Sequence, residues 1–264
     1  MKYNCSCGHE IEYTENDIQF EPMHRLLNGD STDSDSVMRL MHDGKADLVC
    51  ADPPYGVEAV SSSGYTGGGG KVGFVGGKGI VNPRQYSQII NDDSTDTAKE
   101  FYNTCMALEM DRMIIWGGNY FTDFLPPSRC WLVWDKKEAK MENTFADCEL
   151  AWCSMDGNAT IYRHLWAGLL RKGSRELELK DRVHPTQKPI GLYMDILKDY
   201  EWSIVFDGFL GSGSTMVASY QLKRKCYGME LDPKYCAVII DRMLKLDETL
   251  VIKRNGEIWQ TTKI

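Results

Sequence analysis

Residues 205–218 read VFDGFLGSGSTMVA, an apolar run that breaks into glycines at 208, 211 and 213 and resumes with Ser214 and Thr215 as available helix caps. A strand that runs into glycines and then opens a helix is how a Rossmann-like sheet sets backbone N–H groups against a ligand. The dinucleotide fingerprint G-x-G-x-x-G would need a further glycine at 216, where Met216 stands. Glu230 lies at the end of the next apolar run, where an acid accepts hydrogen bonds from ribose hydroxyls. The pair implies a ribose-bearing cofactor without pointing to NAD.

Working outward, a second stretch, CADPPYGV at 50–57, follows the apolar run ADLVCA at 46–51. Two prolines fix φ and remove backbone donors, so Asp52 and Tyr55 are held stiffly at the end of a strand. Ligands of open parallel sheets bind at the carboxyl ends of strands, which lets this motif and the glycine loop share one rim. The remaining chain has the rhythm of an α/β domain. Val37, Leu40 and Met41 predict a helix ending at a Gly44 cap, with another helix around 95–111. Strands are expected at 112–118, 130–136, 148–154, 202–209 and 225–231, and helices at 214–222 and 233–245. Asn255-Gly256 between two β-prone runs signals a hairpin.

A chain of 264 residues with 42% hydrophobic content can bury a single substantial core. No apolar run approaches the ~18 residues of a membrane span, and the polar start MKYNCSCGHE is unlike a secretory signal, so a soluble, unexported protein is expected. Nine cysteines without a framework fit a reducing compartment. Cys5, Cys7 and His9 lack the second ligand pair of a tetrahedral zinc, so no metal is expected. The net charge of −8 is awkward for a polyanion binder, but residues 160–190 carry +4 and the remainder −12. That strip, with Arg163, His164, Arg171, Lys172 and Arg175 as candidate contacts, can dock on nucleic acid; the alternative is a solvated loop. Residues 64–79 hold nine glycines and fail the phosphate-loop pattern at both Lys71 and Lys78, leaving a lid or a flexible insertion.

Asp52-Pro53-Pro54-Tyr55, then WGGN at 116–119, WLVWDK at 131–136, HPTQKP at 184–189 and Phe209-x-Gly-Ser-Gly occur in that order. The set resembles the β class of S-adenosylmethionine-dependent amino-methyltransferases of DNA, over roughly residues 24–243, and looks closest to the small stand-alone enzymes of phages and prophages. The resemblance implies an α/β fold with a Rossmann-like methyltransferase sheet, helices on both faces, and a permuted order in which the catalytic motif precedes the cofactor motif. It divides the chain into an N-terminal extension (1–20), a catalytic domain (21–246) with a short target-recognition region about 140–183, and a C-terminal hairpin extension (247–264). One departure is Asp207-Gly208-Phe209, where the family commonly has Asp-Pro-Phe; losing the proline is expected to cost of order 1 kcal/mol.

The chemistry explains the acid and the ring. An exocyclic amine is a poor nucleophile because its lone pair is delocalised into the base. Asp52 and the Pro53 carbonyl would accept its two N–H groups, Pro54 would stiffen the turn, and Tyr55 would stack on a base taken out of the duplex. The resemblance implies that S-adenosyl-L-methionine is held by Asp30, Asp207, Phe209, Gly211, Ser212, Gly213 and Glu230, with His184, Thr186 and Lys188 beside its methionine carboxylate. Asp rather than Ser before Pro-Pro-Tyr tilts the acceptor towards adenine N6 over cytosine N4. The missing Pro-Cys dipeptide excludes the thiolate expected of cytosine C5 methylation. RNA as acceptor and a catalytically idle module stay open. By the same resemblance the partner is double-stranded DNA, in the cytoplasm of a bacterial or phage-infected cell, within or outside restriction-modification; a homodimer follows by analogy only.

Overall fold

The computed structural model describes residues 2–4, 10–12, 17–21, 24–42, 44–57, 90–137, 146–167, 170–171, 187–255 and 257–258. Its strands are β1 (Lys2–Asn4), β2 (Glu10–Glu12), β3 (Asp17–Glu21), β4 (His24–Asn28), β5 (Leu48–Ala51), β6 (Met113–Trp116), β7 (Trp131–Asp135), β8 (Cys148–Cys153), β9 (Thr160–Arg163), β10 (Trp166–Ala167), β11 (Leu170–Arg171), β12 (Ile204–Asp207), β13 (Lys225–Glu230), β14 (Val251–Arg254) and β15 (Glu257–Ile258). The helices are α1 (Ser34–Met41), α2 (Asp96–Ala107), α3 (Ile190–Lys198), α4 (Ser214–Gln221) and α5 (Pro233–Leu246).

One mixed sheet of eleven strands organises the described residues, in the order β15-β14-β3-β4-β13-β12-β5-β6-β8-β7-β9. Its centre, β4-β13-β12-β5-β6, is parallel throughout. Antiparallel pairs extend it on both sides, through β3 and β14 on one flank and β8 and β7 on the other. All four residues of β5, Leu48-Val49-Cys50-Ala51, are buried, as are the four of β6. Near-continuous apolar runs are what a parallel strand covered on both faces requires.

Alternation along these strands sorts the side chains into two cores. Leu48, Cys50, Ile114, Trp116, Val205 and Cys226 face α3, α4 and α5. Val49, Ala51, Met113, Ile115, Phe206 and Tyr227 face α1 and α2. Helices therefore cover both faces, as expected of a doubly wound sheet.

Local chemistry sets the ends. Asp33 caps α1 by accepting from the N–H groups of Asp35 and Ser36, and Asp232 caps α5 by accepting from Lys234, with Pro233 in its first turn. The cap expected at Gly44 lies two residues earlier: His42 takes φ +57° and donates its N–H to Met38, while Gly44 donates to Met41. The Asn255-Gly256 signal falls between β14 and β15, with Asn255 at φ +51°, and β14 joins the main sheet on β3. At the amino ends of the central strands, Asp47 accepts from the N–H groups of Ser203 and Ile204, tying β12 to β5.

Candidate active site

Five strand ends, at Asn28, Ala51, Trp116, Asp207 and Glu230, leave the parallel centre along one rim, and β5 pairs directly with β12 there. The chain visits β5 long before β12, so strand order brings together two motifs that sequence separates.

After Ala51 the two prolines stop the strand, and the turn beyond is fastened by Asp92, whose Oδ1 accepts from the N–H groups of Tyr55 (3.1 Å) and Gly56 (3.0 Å). Tyr55 donates its hydroxyl to Asp52 Oδ1 at 2.5 Å. Asp52 Oδ2 is ion-paired with the Lys188 ammonium, which also reaches the Tyr55 hydroxyl at 3.2 Å and Glu149 Oε2 at 3.4 Å. Glu149 pairs in turn with Lys136. Burial alone would pull the Lys188 ammonium down, but Asp52 and Glu149 together outweigh it and hold its pKa above the ordinary lysine value. Burial likewise opposes the Glu149 charge, and Lys188 and Lys136 more than compensate, leaving its carboxyl below the usual range. Burial, and then the Asp52 and Glu149 charges, push the Tyr55 phenol well up, so it stays a donor.

The WGGN segment shapes the other side of that ring. Gly117 has φ +72°, and any Cβ there would overlap the Tyr55 ring; one on Gly118 would overlap Trp152. Tyr120 stacks on Tyr55 with centroids 5.2 Å apart and planes at 17°, and Phe121 meets it edge-on.

The second half of the rim is the glycine loop. Asp207 ends β12 fully buried, accepting from the Phe209 N–H (2.9 Å) and the Thr215 hydroxyl (2.6 Å). Burial raises it to about 7. Gly211 and Gly213 have φ +53° and +82°, the left-handed region that glycine enters without penalty. Glu230 accepts from the Gly211 N–H at 2.8 Å and the Asp232 N–H at 2.9 Å, and burial pushes it up to about 8. On the adjacent strand end, Gly29 and Asn28 donate to the Glu230 carbonyl, and Asp30 follows, accepting from Thr32. Ser212 is buried, with its carbonyl and hydroxyl held by Arg242, and Phe209 packs edge-on against Phe101.

Against known proteins, residues 132–241 match the family model described as DNA methylase of the N6/N4 type. The chain is 26% identical over 233 residues to the type II methyltransferase M2.DpnII of Streptococcus pneumoniae, covering 77% of this chain and 84% of that protein. It is 25% identical over 244 residues to M2.LlaDCHI of Lactococcus lactis subsp. cremoris, covering 81% and 87%. The chain is thus similar to DNA amino-methyltransferases over about four fifths of its length, and the β-class resemblance is supported. In fold the chain is similar to an M1.HpyAVI–SAM complex (TM-score 0.51, 18% identity, 84% of this chain and 99% of that one). It is also similar to the PvuII cytosine-N4-specific DNA methyltransferase (TM-score 0.52, 13% identity, 86% and 90%). The family uses S-adenosylmethionine.

Of the residues singled out from the sequence, Asp52, Tyr55, Asp207, Phe209, Gly211, Gly213, Glu230 and Asp30 converge on this rim. Lys188, expected with the cofactor, directs its ammonium to Asp52, while its carbonyl accepts from Ser214 at the start of α4. Arg163 lies exposed on the edge strand β9, 3.8 Å from Asp135, whereas the His164 ring is half-buried against Gly191. Arg171 lies in β11; Lys172, Arg175, His184, Thr186, Cys5, Cys7, His9 and the 64–79 segment lie outside the described residues. Among the described residues no cluster suits a metal ion, and no helix is long and apolar enough to cross a membrane.

Sequence reading missed Glu149, Lys136, Asp92 and Tyr120. Each reaches the site across a distance in sequence that only folding closes. A charged residue inside the otherwise apolar run of β8 was the one available signal for Glu149.

Proposed function

We propose that the chain transfers a methyl group from S-adenosyl-L-methionine to the N6 amine of adenine in double-stranded DNA. The observation that carries the reading is a half-buried carboxylate, Asp52, fixed by two donors at the end of β5, beside the glycine loop that ends β12. The loop fits the cofactor: two left-handed glycines open backbone towards the rim, and Glu230 retains lone pairs beyond the two N–H groups it already accepts. Glu230 would take the ribose hydroxyls, Asp30 would lie by the adenine, and Phe209, Gly211 and Gly213 would border the methionine portion. When bound, the cofactor supplies an electrophilic methyl group on a sulfonium.

The protein's own part is to aim the amine. Asp52 and the Pro53 carbonyl accept its N–H groups and draw the nitrogen lone pair out of the ring, and Tyr55 would stack on the extruded base in place of Tyr120, which covers its ring here. Acceptors that are already oriented need no reorganisation during transfer. Asp at position 52 favours adenine N6 over cytosine N4, and the same acceptors would serve either amine. Arg163, exposed on the β9 edge, is a member of the basic strip that would meet a phosphate.

The test is transfer of labelled methyl from S-adenosylmethionine to unmethylated duplex DNA, followed by nucleoside analysis. N6-methyladenine is expected, with Asp52→Ala lowering the rate at least ~100-fold, the scale of losing one oriented polar group. N4-methylcytosine would overturn the base assignment, and unlabelled DNA would overturn the reading.

A further inference from the structure

A nearly fully enclosed cation, Lys188, stands against the acid assigned to the chemistry. Lys188 exposes only 4% of its side chain, and its ammonium faces the ring of Trp116 at 5.0 Å. An ammonium has three N–H donors, and here three acceptors meet them: Asp52 Oδ2, the Tyr55 hydroxyl and Glu149 Oε2. Two carboxylates and two ammonium groups, counting Lys136, make the cluster neutral. Burying either acid without its cation would leave an uncompensated charge in a poorly solvated site.

We propose that Lys188 is a positioning residue for methyl transfer, clamped by Glu149 so that its ammonium holds the Asp52 carboxylate and the Tyr55 hydroxyl in the arrangement that receives the target amine. This rests on the methyl-transfer reading above. Asp52 accepts Tyr55 on one oxygen and Lys188 on the other. A carboxylate offers about four lone-pair sites, so the two donors stop its rotation and still leave acceptors for an amine N–H. Without the ammonium, Asp52 and Glu149 would repel and the carboxylate would be free to turn.

Lys188 also explains how the two halves of the rim keep their spacing. Its carbonyl accepts the Ser214 hydroxyl at 2.9 Å, at the first residue of the helix that follows the glycine loop, while its side chain reaches the end of β5. Glu149 lies on β8, outside the parallel centre and within the span expected for target recognition, so it ties the clamp to that part of the chain.

The test uses the full chain with Lys188→Met, Glu149→Gln and the double variant, reading single-turnover methyl transfer at saturating cofactor and DNA alongside the cofactor Kd by calorimetry. Lys188→Met is expected to slow transfer at least ~100-fold, the scale of a ~1 Å misplacement, with the cofactor Kd within ~3-fold of the parent. Glu149→Gln is expected to slow it ~10-fold, and the double variant to be no slower than Lys188→Met, because Glu149 acts through the lysine. A Kd weakened ~10-fold or more with an unchanged saturating rate would make Lys188 a cofactor ligand and overturn the proposal. Full multiplication of the two single effects would also overturn it. Should Lys188→Met fail to fold, the double variant, which removes one of the facing carboxylates, carries the comparison of saturating rate with cofactor Kd. A parent protein that methylates no DNA overturns the functional reading alone. The clamp is then read from urea unfolding of Asp52→Asn, Lys188→Met and their combination. A combined loss smaller than the sum supports it, and strict additivity overturns it.

Discussion

Glu230 enters the folded state with its carboxyl pushed up to about 8 by burial, from an ordinary value of 4.5. Between those two values the unfolded chain gives up the proton first, so this residue's contribution to stability falls as pH rises through the window. The slope is at most about 1.4 kcal/mol per pH unit for one proton. Asp207, raised from 3.8 to about 7, acts in the same direction at slightly lower pH. Glu230→Gln is therefore expected to flatten the decline in stability between about pH 5 and 8 seen by urea denaturation at a series of pH values. If ribose hydroxyls donate to this carboxylate, cofactor affinity in the parent should rise with pH up to about 8 and release protons, measurable by calorimetry in buffers of different ionisation enthalpy. In Glu230→Gln both effects should vanish.

At the scale of elements, the join between β12 and α4 shows how a departure from a family pattern is accommodated. Where the family commonly places proline, Gly208 leaves no room for a side chain: a Cβ there would overlap the edge of the Phe101 ring from α2 and approach Ser31 Cβ to 2.9 Å. Phe101 fills that space and packs against both Phe206 and Phe209. The expected cost of a loosened turn thus has a counterweight in packing that residues 207–209 alone do not reveal. Gly208→Ala should destabilise the fold by about 1–3 kcal/mol, the range for overpacking a filled core. Combining it with Phe101→Leu should recover part of that loss in thermal denaturation. Strands and helices with strong periodicity were legible here: β5 to β8, β12, α4, β13 and α5 fall within the ranges expected from residue pattern, or within one residue of them. The helix cap was misplaced, because a glycine signal at 44 outweighed a histidine at 42 that takes a positive φ. Strands β3, β4 and β9 mix charged with apolar residues, and their place depends on neighbours in the sheet; α3 carries Leu192, Tyr193, Ile196 and Leu197 at helical spacing but was not among the expected elements.

Across the whole molecule, on the methyl-transfer reading an acidic chain of net charge −8 has to meet a polyanion, so contact depends on where its exposed cations lie. Arg163, exposed on the edge strand β9 and 3.8 Å from Asp135, is proposed as one such contact. Arg163→Ala should weaken DNA binding about equally for all sequences and reduce the slope of log affinity against log salt by about 1, read from fluorescence anisotropy titrations. The permuted order of motifs is likewise a property of the whole. Residue types and spacing by themselves determined that an acid held by prolines and a glycine loop follow strands, because those signals act over a few residues of backbone. Which strands are neighbours was decided only by the tertiary structure. So was the meeting of Lys188 with Asp52 and Glu149, since buried charges choose partners through a fold that excludes water, and no local pattern records that choice.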